Sequence, residues 1–233
     1  MWGKKTKSTT SAASKSKTGT STRSTTRKKS GAAATQTLEA KITKTYKSIE
    51  TTLEEGGKGI DAEGISAMFT EAGVDPYSDV AVLAFLWKCE TEKYGIITEA
   101  EFTRGMSYFG VSDINGLGSK IKKIRDCVKD PHADSFREFH NFVFQISREG
   151  TFKQIESKLA CALLNLILGS HFSLIEKFEE FMTAKDKPNV NHDQWSNLLE
   201  VLKLIGDDAE KYEDDGAWPV LIDEFIEWVK EQQ

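Results

Sequence analysis

The chain has 233 residues, 39% apolar and 29% charged, with a formal charge of −5; this is enough for one sizeable domain or two small ones sharing a core. Its longest apolar runs, AVLAFLW at 81–87 and ALLNLILG at 162–169, fall short of the roughly 20 residues a transmembrane helix needs. A soluble protein that does not engage a membrane is expected, and Met1-Trp2-Gly3-Lys4-Lys5 shows neither an apolar signal core nor a Gly at position 2 for a lipid.

Residues 1–36 carry nine Lys and Arg, sixteen Ser and Thr, and no acid, which leaves 22 basic against 36 acidic side chains in residues 37–233, a formal −14. The first segment offers too little apolar surface to offset its ordering entropy and is expected to be a disordered basic tail. Its cluster TRSTTRKKS fits a nuclear localisation signal or a weak, nonspecific nucleic-acid or acidic-membrane contact, and equally a solvated, phosphorylatable tail. The acidic body is unsuited to phosphate backbones, so its expected partner is a basic protein surface.

From Leu38 the spacing is helical almost throughout. Leu38, Ile42, Tyr46, Ile49 and Leu53 recur at three or four residues, predicting a helix that ends near Gly56-Gly57. Further helices are predicted at about 61–72, 77–90, 98–109, 113–128, 133–147, 153–169, 172–184, 192–205 and 218–231, broken by GVDPYSD, KDPHADS and AKDKPN. The expected class is all-α, with two helical lobes over about 37–135 and 136–233. No strand of convincing length is expected.

A twelve-residue calcium-loop pattern laid on Glu90–Glu101 puts Gly95 at the sharp turn, Ile97 at the apolar eighth position and Glu101 at the bidentate one. Glu90, Glu92 and Tyr94 are poor ligands at the first, third and fifth positions, and the partner loop, 53–64, begins with Leu and ends with Gly. An EF-hand-like helix pair without its metal is expected; a calcium-responsive adaptor is the alternative. Cys89, Cys127 and Cys161 are isolated and lack Cys-x-x-Cys spacing, and with His132, His140, His171 and His192 they form no nucleophile signature. Reduced, largely buried thiols are expected, with no catalytic residue and no cofactor.

On a helix over 218–231, Trp218, Leu221, Ile222, Phe225, Ile226, Trp228 and Val229 share one face and Asp223, Glu224, Glu227, Lys230 and Glu231 the other. Pro219 suits the first turn, and Asp214 and Asp215 suit the positive end of the helix dipole.

YEDDGAWPVLIDEFIEW, with NHDQWSNLLEVLKLI before it and AVLAFLWK and EAEFTRGM earlier, resembles the defective-in-cullin-neddylation family, whose members carry the potentiating-neddylation domain. The resemblance spans roughly residues 37–233. It implies a scaffold-type accessory ligase, without a catalytic residue of its own, that brings a conjugating enzyme charged with a ubiquitin-like modifier to a cullin's C-terminal winged-helix region. It implies a cullin-contacting Asp, Ala and Asp at Asp193, Ala217 and Asp223. It also implies an apolar pocket for the acetylated N-terminus of the neddylation conjugating enzyme, at Ile65, Pro76, Val82, Phe85, Leu86, Ile97, Ile146, Leu163 and Leu166. The chain departs from the family pattern at Gly95, where Cys is usual, at Ile97 and Ile146, where Phe is, and at Leu163, where Tyr is. At its start it has the basic tail in place of a ubiquitin-binding or lipidated segment. That favours members that work partly in the nucleus; a location in nucleus and cytoplasm is expected, and separately a monomer.

Overall fold

Residues 26–54, 56–148, 152–213 and 216–232 are described in the computed structural model of the chain, with side chains from Thr35 onward. Residues 1–25, most of the basic arm, lie outside the described residues, as do Asp214 and Asp215. The chain divides into two units, Met1–Gln36 and Thr37–Gln233, and the buried apolar core from Ile42 to Val229 belongs to the second.

The fold is all-α. Among the described residues the sheet is limited to two short antiparallel pairs. Helix α1 (Thr26–Ile49) begins before Leu38 and buries Ile42 and Tyr46, as their spacing requires. It stops before Leu53. Thr51 and Thr52 form β1 (Thr51–Thr52), which pairs with β2 (Lys58–Gly59). β-Branched residues favour a pleated strand, and Gly56 and Gly57, at φ 86° and 87°, supply left-handed backbone for the turn.

Helix α2 (Ala62–Glu71) is capped by Asp61, which accepts from Gly64 N at 2.8 Å. Helix α3 (Val80–Cys89) is capped by Asp79, and α4 (Glu99–Phe109) by a reciprocal Thr98–Glu101 capping box. The two helix–loop–helix units meet through paired backbone bonds, Ile60 N to Ile97 O at 2.9 Å and Ile97 N to Ile60 O at 2.8 Å. The single helix predicted over 113–128 is two, α5 (Ile114–Gly118) and α6 (Ile121–Asp126). A methyl group at Gly118 would sit 2.9 Å from Ala72 O, so this segment has bent close against the end of α2.

Helix α7 (Asp134–Ile146) joins the halves of the unit by packing on α3 and on α10 (His192–Ile205). Trp87 on α3 meets Phe139 at 5.6 Å between ring centroids, and Trp195 Nε1 donates to His140 O at 3.0 Å. Residues 154–156 are strand β3 (Gln154–Glu156) and not the start of a helix, because they pair with β4 (Asn189–Asn191). Helices α8 (Ser157–Leu168), α9 (Leu174–Ala184) and α11 (Val220–Glu231) complete the second half. The face predicted for the last helix is the buried one: Leu221, Ile222, Phe225, Ile226 and Val229 are core, with Trp218 and Trp228 half-buried beside them. Pro219 precedes the helix as its cap residue, and its carbonyl accepts from Ile222 N at 2.8 Å.

Candidate interaction surfaces

Helices α2, α3 and α8 enclose a cleft of about 380 Å³ whose wall includes Ile65, Pro76, Val82, Leu83, Leu86, Leu159, Leu163 and Leu166. The apolar stripes that build it follow helical periodicity: Val82 and Leu86 lie one turn apart on α3, and Leu159, Leu163 and Leu166 run along α8. Six of the nine residues that the resemblance assigns to a peptide pocket therefore face one cavity. The other three do not line it. Phe85 is fully buried against Phe69 and Phe109, at 5.6 and 6.1 Å. Ile97 is fully buried in the bridge to Ile60, and Ile146 is buried at the end of α7.

Sequence reasoning missed the rim. Tyr77 and Tyr94, 84% and 63% exposed, border the cleft with Glu63, Ser66 and Gly95. Periodicity cannot find residues in loops, but an aromatic directly after Pro76 in a polar turn was an available signal. Asp79 is in the same wall. Arg125 holds its carboxyl below the usual range, with Nε at 3.0 and 3.1 Å from the two oxygens, and Asp79 Oδ1 also accepts from Ala81 N at 2.9 Å. This carboxylate is saturated, so the inner wall of the cleft is effectively apolar and its charge lies at the rim, on Glu63.

A larger cleft of about 780 Å³ shares Ala62, Glu63, Tyr94 and Gly95 with it and runs between the 52–63 and 92–101 loops. Its carboxylates are partly committed. Glu101 Oε1 accepts from Glu92 N at 2.9 Å, and Oε2 from Thr98 N and Oγ1, both at 2.7 Å. Asp61 caps α2 and accepts from Thr51 Oγ1 at 2.9 Å. Glu90, at the first position of the calcium pattern, is paired with Arg104 at 3.3 Å, and its backbone is left-handed at φ 53°. The residue needed for bidentate calcium binding thus spends both oxygens on closing the loop and starting α4.

Cys89 and Cys161 are buried, and Cys127 is half-buried. Burial pushes the Cys89 thiol well above its usual range and that of Cys161 to about 11, so both are protonated at neutral pH and poor nucleophiles.

Asp193 lies in the first turn of α10, Ala217 just before α11, and Asp223 in the first turn of α11. The two helices pack on each other. Asp193 and Ala217 are exposed and Asp223 half-buried. Asn197 Nδ2 donates to Asp193 Oδ1 at 2.9 Å, and the Tyr212 hydroxyl donates to Asp223 Oδ1. Neighbouring Glu224 is neutralised by Lys187 at 2.6 Å. The N-cap of α10 is Asn191, in a capping box with Gln194, which leaves the Asp193 carboxylate free of that duty.

The sequence pattern of the family described as cullin binding matches residues 116–228. The chain is 31% identical over 174 residues to DCN1-like protein 4 of Danio rerio, covering 75% of this chain and 61% of that protein. Against DCN1-like protein 5 of Homo sapiens it is 30% identical over 174 residues, covering 75% and 72%. The chain belongs to the DCN1-like family. It spans 61% of the DCN1-like protein 4 of Danio rerio and 59% of that of Homo sapiens, less than two thirds of each. In this DCN1-like chain the matched segment encloses Asp193, Ala217 and Asp223 as well as the α8 wall of the apolar cleft; the α2 and α3 walls lie before it.

Proposed function

We propose that this DCN1-like chain is a non-catalytic, scaffold-type accessory ligase of cullin neddylation. In this reading the α10–α11 surface around Asp193, Ala217 and Asp223 receives a cullin's C-terminal winged-helix region. The apolar cleft receives the N-terminus of the neddylation conjugating enzyme. Holding both raises the effective concentration and fixes the orientation of the charged enzyme at the cullin lysine, which needs no reacting group from the scaffold.

The observation that carries the reading is the cullin-binding match, whose span includes both carboxylates of the proposed patch. Two carboxylates beside a small apolar residue suit a basic partner, since Lys or Arg can pair with each while Ala217 permits close approach. The cleft supports the second half. Its inner wall is apolar, Asp79 is already bound by Arg125 and Glu63 stays at the exposed rim, so an acetylated, uncharged N-terminus enters the interior more readily than an ammonium group. The chain is proposed to act as a monomer in nucleus and cytoplasm.

A transfer assay tests both halves: conjugating enzyme charged with the modifier, a cullin C-terminal fragment, and the full chain. Acceleration of cullin modification is expected. Asp193→Lys is expected to remove it by weakening the cullin contact, and Leu163→Asp by weakening the enzyme contact. No acceleration by the intact chain would reject the proposal.

A further inference from the structure

The acidic body carries its cations unevenly. Residues 118–130, GSKIKKIRDCVKD, hold five Lys and Arg against two Asp, which leaves 17 basic against 34 acidic side chains in the rest of residues 37–233. Two of the five are neutralised, since Arg125 holds Asp79 and Lys122 reaches Asp126 at 3.0 Å. Lys120 and Lys123 form no ion pair among the described residues, although carboxylates outnumber cations over the body as a whole. With Cys127 they recur at three and four residues, so they share one side of α6.

That side borders the end of α4. Lys123 Nζ lies 5.9 Å from the ring centroid of Phe109, and the Phe109 ring meets that of Tyr108 edge-on at 4.9 Å. Lys88 Nζ, from α3, lies 5.0 Å from the Tyr108 ring and 3.3 Å from that of Trp87. Helix α3 packs on α6, and Cys127 is among the groups whose charge acts on Lys88. Lys88 is half-buried and also forms no ion pair among the described residues; Glu138 and Glu90 act on it only at longer range. An aromatic face stabilises an ammonium group without neutralising it, so these cations keep their charge to meet an anion. Tyr108, 53% exposed, sets apolar surface beside them.

We propose that the face made by Lys88, Lys120, Lys123 and Tyr108 docks a short acidic protein segment, whose carboxylates pair with the three ammonium groups while part of its chain lies on the Tyr108 ring. Charge complementarity selects the occupant. On a body of formal charge −14, a cationic face is where an acidic chain can approach without repulsion. Three lysines suit a few carboxylates. A nucleic-acid backbone or an anionic bilayer presents charge over a wider area and meets the surrounding acids. None of these four residues lines the clefts described above or belongs to the α10–α11 surface, so the proposal stands apart from the neddylation reading.

Fluorescence anisotropy of labelled deca-glutamate, titrated with the full chain at two ionic strengths, tests it. Binding that weakens as salt is raised is expected. Lys120→Glu with Lys123→Glu should weaken it on the order of tenfold, from two lost pairs and the repulsion that replaces them. Lys120→Gln with Lys123→Gln, which adds no charge, should act in the same direction by a smaller factor, and Lys120→Arg with Lys123→Arg should preserve binding. Lys153→Glu with Lys158→Glu makes the same change in net charge at exposed residues outside the face and should cost far less; an equal loss there overturns the proposal. Arg27→Gln with Lys28→Gln and Lys29→Gln removes competition from the basic arm. Binding that disappears in that variant and survives reversal of Lys120 and Lys123 belongs to the arm and overturns the proposal. Absence of binding to deca-glutamate overturns it as well. So does tighter, Lys120- and Lys123-dependent binding to deca-thymidylate or to vesicles of equal parts phosphatidylserine and phosphatidylcholine. Each of these failures leaves the readings of the apolar cleft and of the α10–α11 surface untouched.

Discussion

The Tyr212 hydroxyl donates to Asp223 Oδ1 across eleven residues of chain, tying the segment that leads into α11 to the first turn of that helix. Tyr212 is 7% exposed and Asp223 half-buried, so the phenol fixes the carboxylate at a partly accessible position. Asp223→Lys is expected to lose cullin binding by setting an ammonium group against a basic partner, while Tyr212→Phe loosens the carboxylate and weakens binding less. Tyr212→Phe should also cost about 0.5–1.5 kcal/mol of stability, the usual net worth of one hydrogen bond. Calorimetric titration with a cullin winged-helix fragment, beside urea melts, checks both. Equal affinity for the intact chain and Asp223→Lys would remove Asp223 from the interface.

Asp193 and Ala217 are exposed. Ala217→Arg should leave stability within roughly 0.5 kcal/mol, as surface changes usually do, whereas Asp193→Lys, which places a cation in the first turn of α10 and gives up the Asn197 bond, should cost about 1 kcal/mol; each should weaken the cullin contact. Because rim charges act mainly on association, the loss for Asp193→Lys is expected in the on-rate and to shrink as salt is raised. Stopped-flow association at two ionic strengths reads this directly.

How much was legible in the sequence depends on what each residue answers to. The helix faces were legible because burial imposes a period: Leu221, Ile222, Phe225, Ile226 and Val229 face inward as their spacing demands. Pairing partners far along the chain were not. Gln154–Glu156 becomes strand because Asn189–Asn191 lies beside it, and no local signal in residues 153–157 announces that. The same limit applied to the cleft. Val82, Leu86, Leu163 and Leu166 could be placed by periodicity and motif, whereas Tyr77 and Tyr94 sit in loops whose course is set by contacts made elsewhere. Phe85 and Ile97 share the composition of the cleft residues but point into the core, a distinction that depends on how the helices are rotated against one another.

Asp79 does two jobs, capping α3 through Ala81 N and holding Arg125 of α6. Asp79→Ala removes both and should cost about 1–2 kcal/mol, the range for loss of an N-cap, whereas Arg125→Ala, on a half-exposed cation, should cost less than 1 kcal/mol. The carboxyl is held below its usual value, mainly by Arg125. Its stabilisation is accordingly present above the unfolded value near 3.8 and fades as pH falls through the folded one. Urea melts at pH 7 of the two variants and the parent give the ranking; equal losses would mean that the ion pair, and not the cap, carries the energy.

His140 is fully buried, stacked on Trp195 at 4.8 Å between ring centroids, and neither ring nitrogen has a hydrogen-bond partner among the described residues. Burial, with lesser contributions from His192 and Lys203, lowers its pKa from 6.5 to about 3. Between those values the unfolded chain binds a proton that the folded chain refuses, so stability is full above pH 6.5 and falls as the solution is acidified, by up to roughly 1.4 kcal/mol per pH unit. Asp79 and Asp61, both lowered from 3.8, alter stability only in more acidic solution than the pH 5 used below. His171 is also lowered by burial and contributes with the same sign, but equally in a His140 variant. His140→Phe keeps an aromatic plane against Trp195 and removes two unsatisfied nitrogens, so at pH 7.5 it should be at least as stable as the parent. On moving to pH 5 the parent should lose roughly 2 kcal/mol more than the variant, from about 1.5 units of the same slope. Parallel denaturant melts at the two pH values measure that difference, and an identical fall in both proteins would show that His140 gains its proton without unfolding.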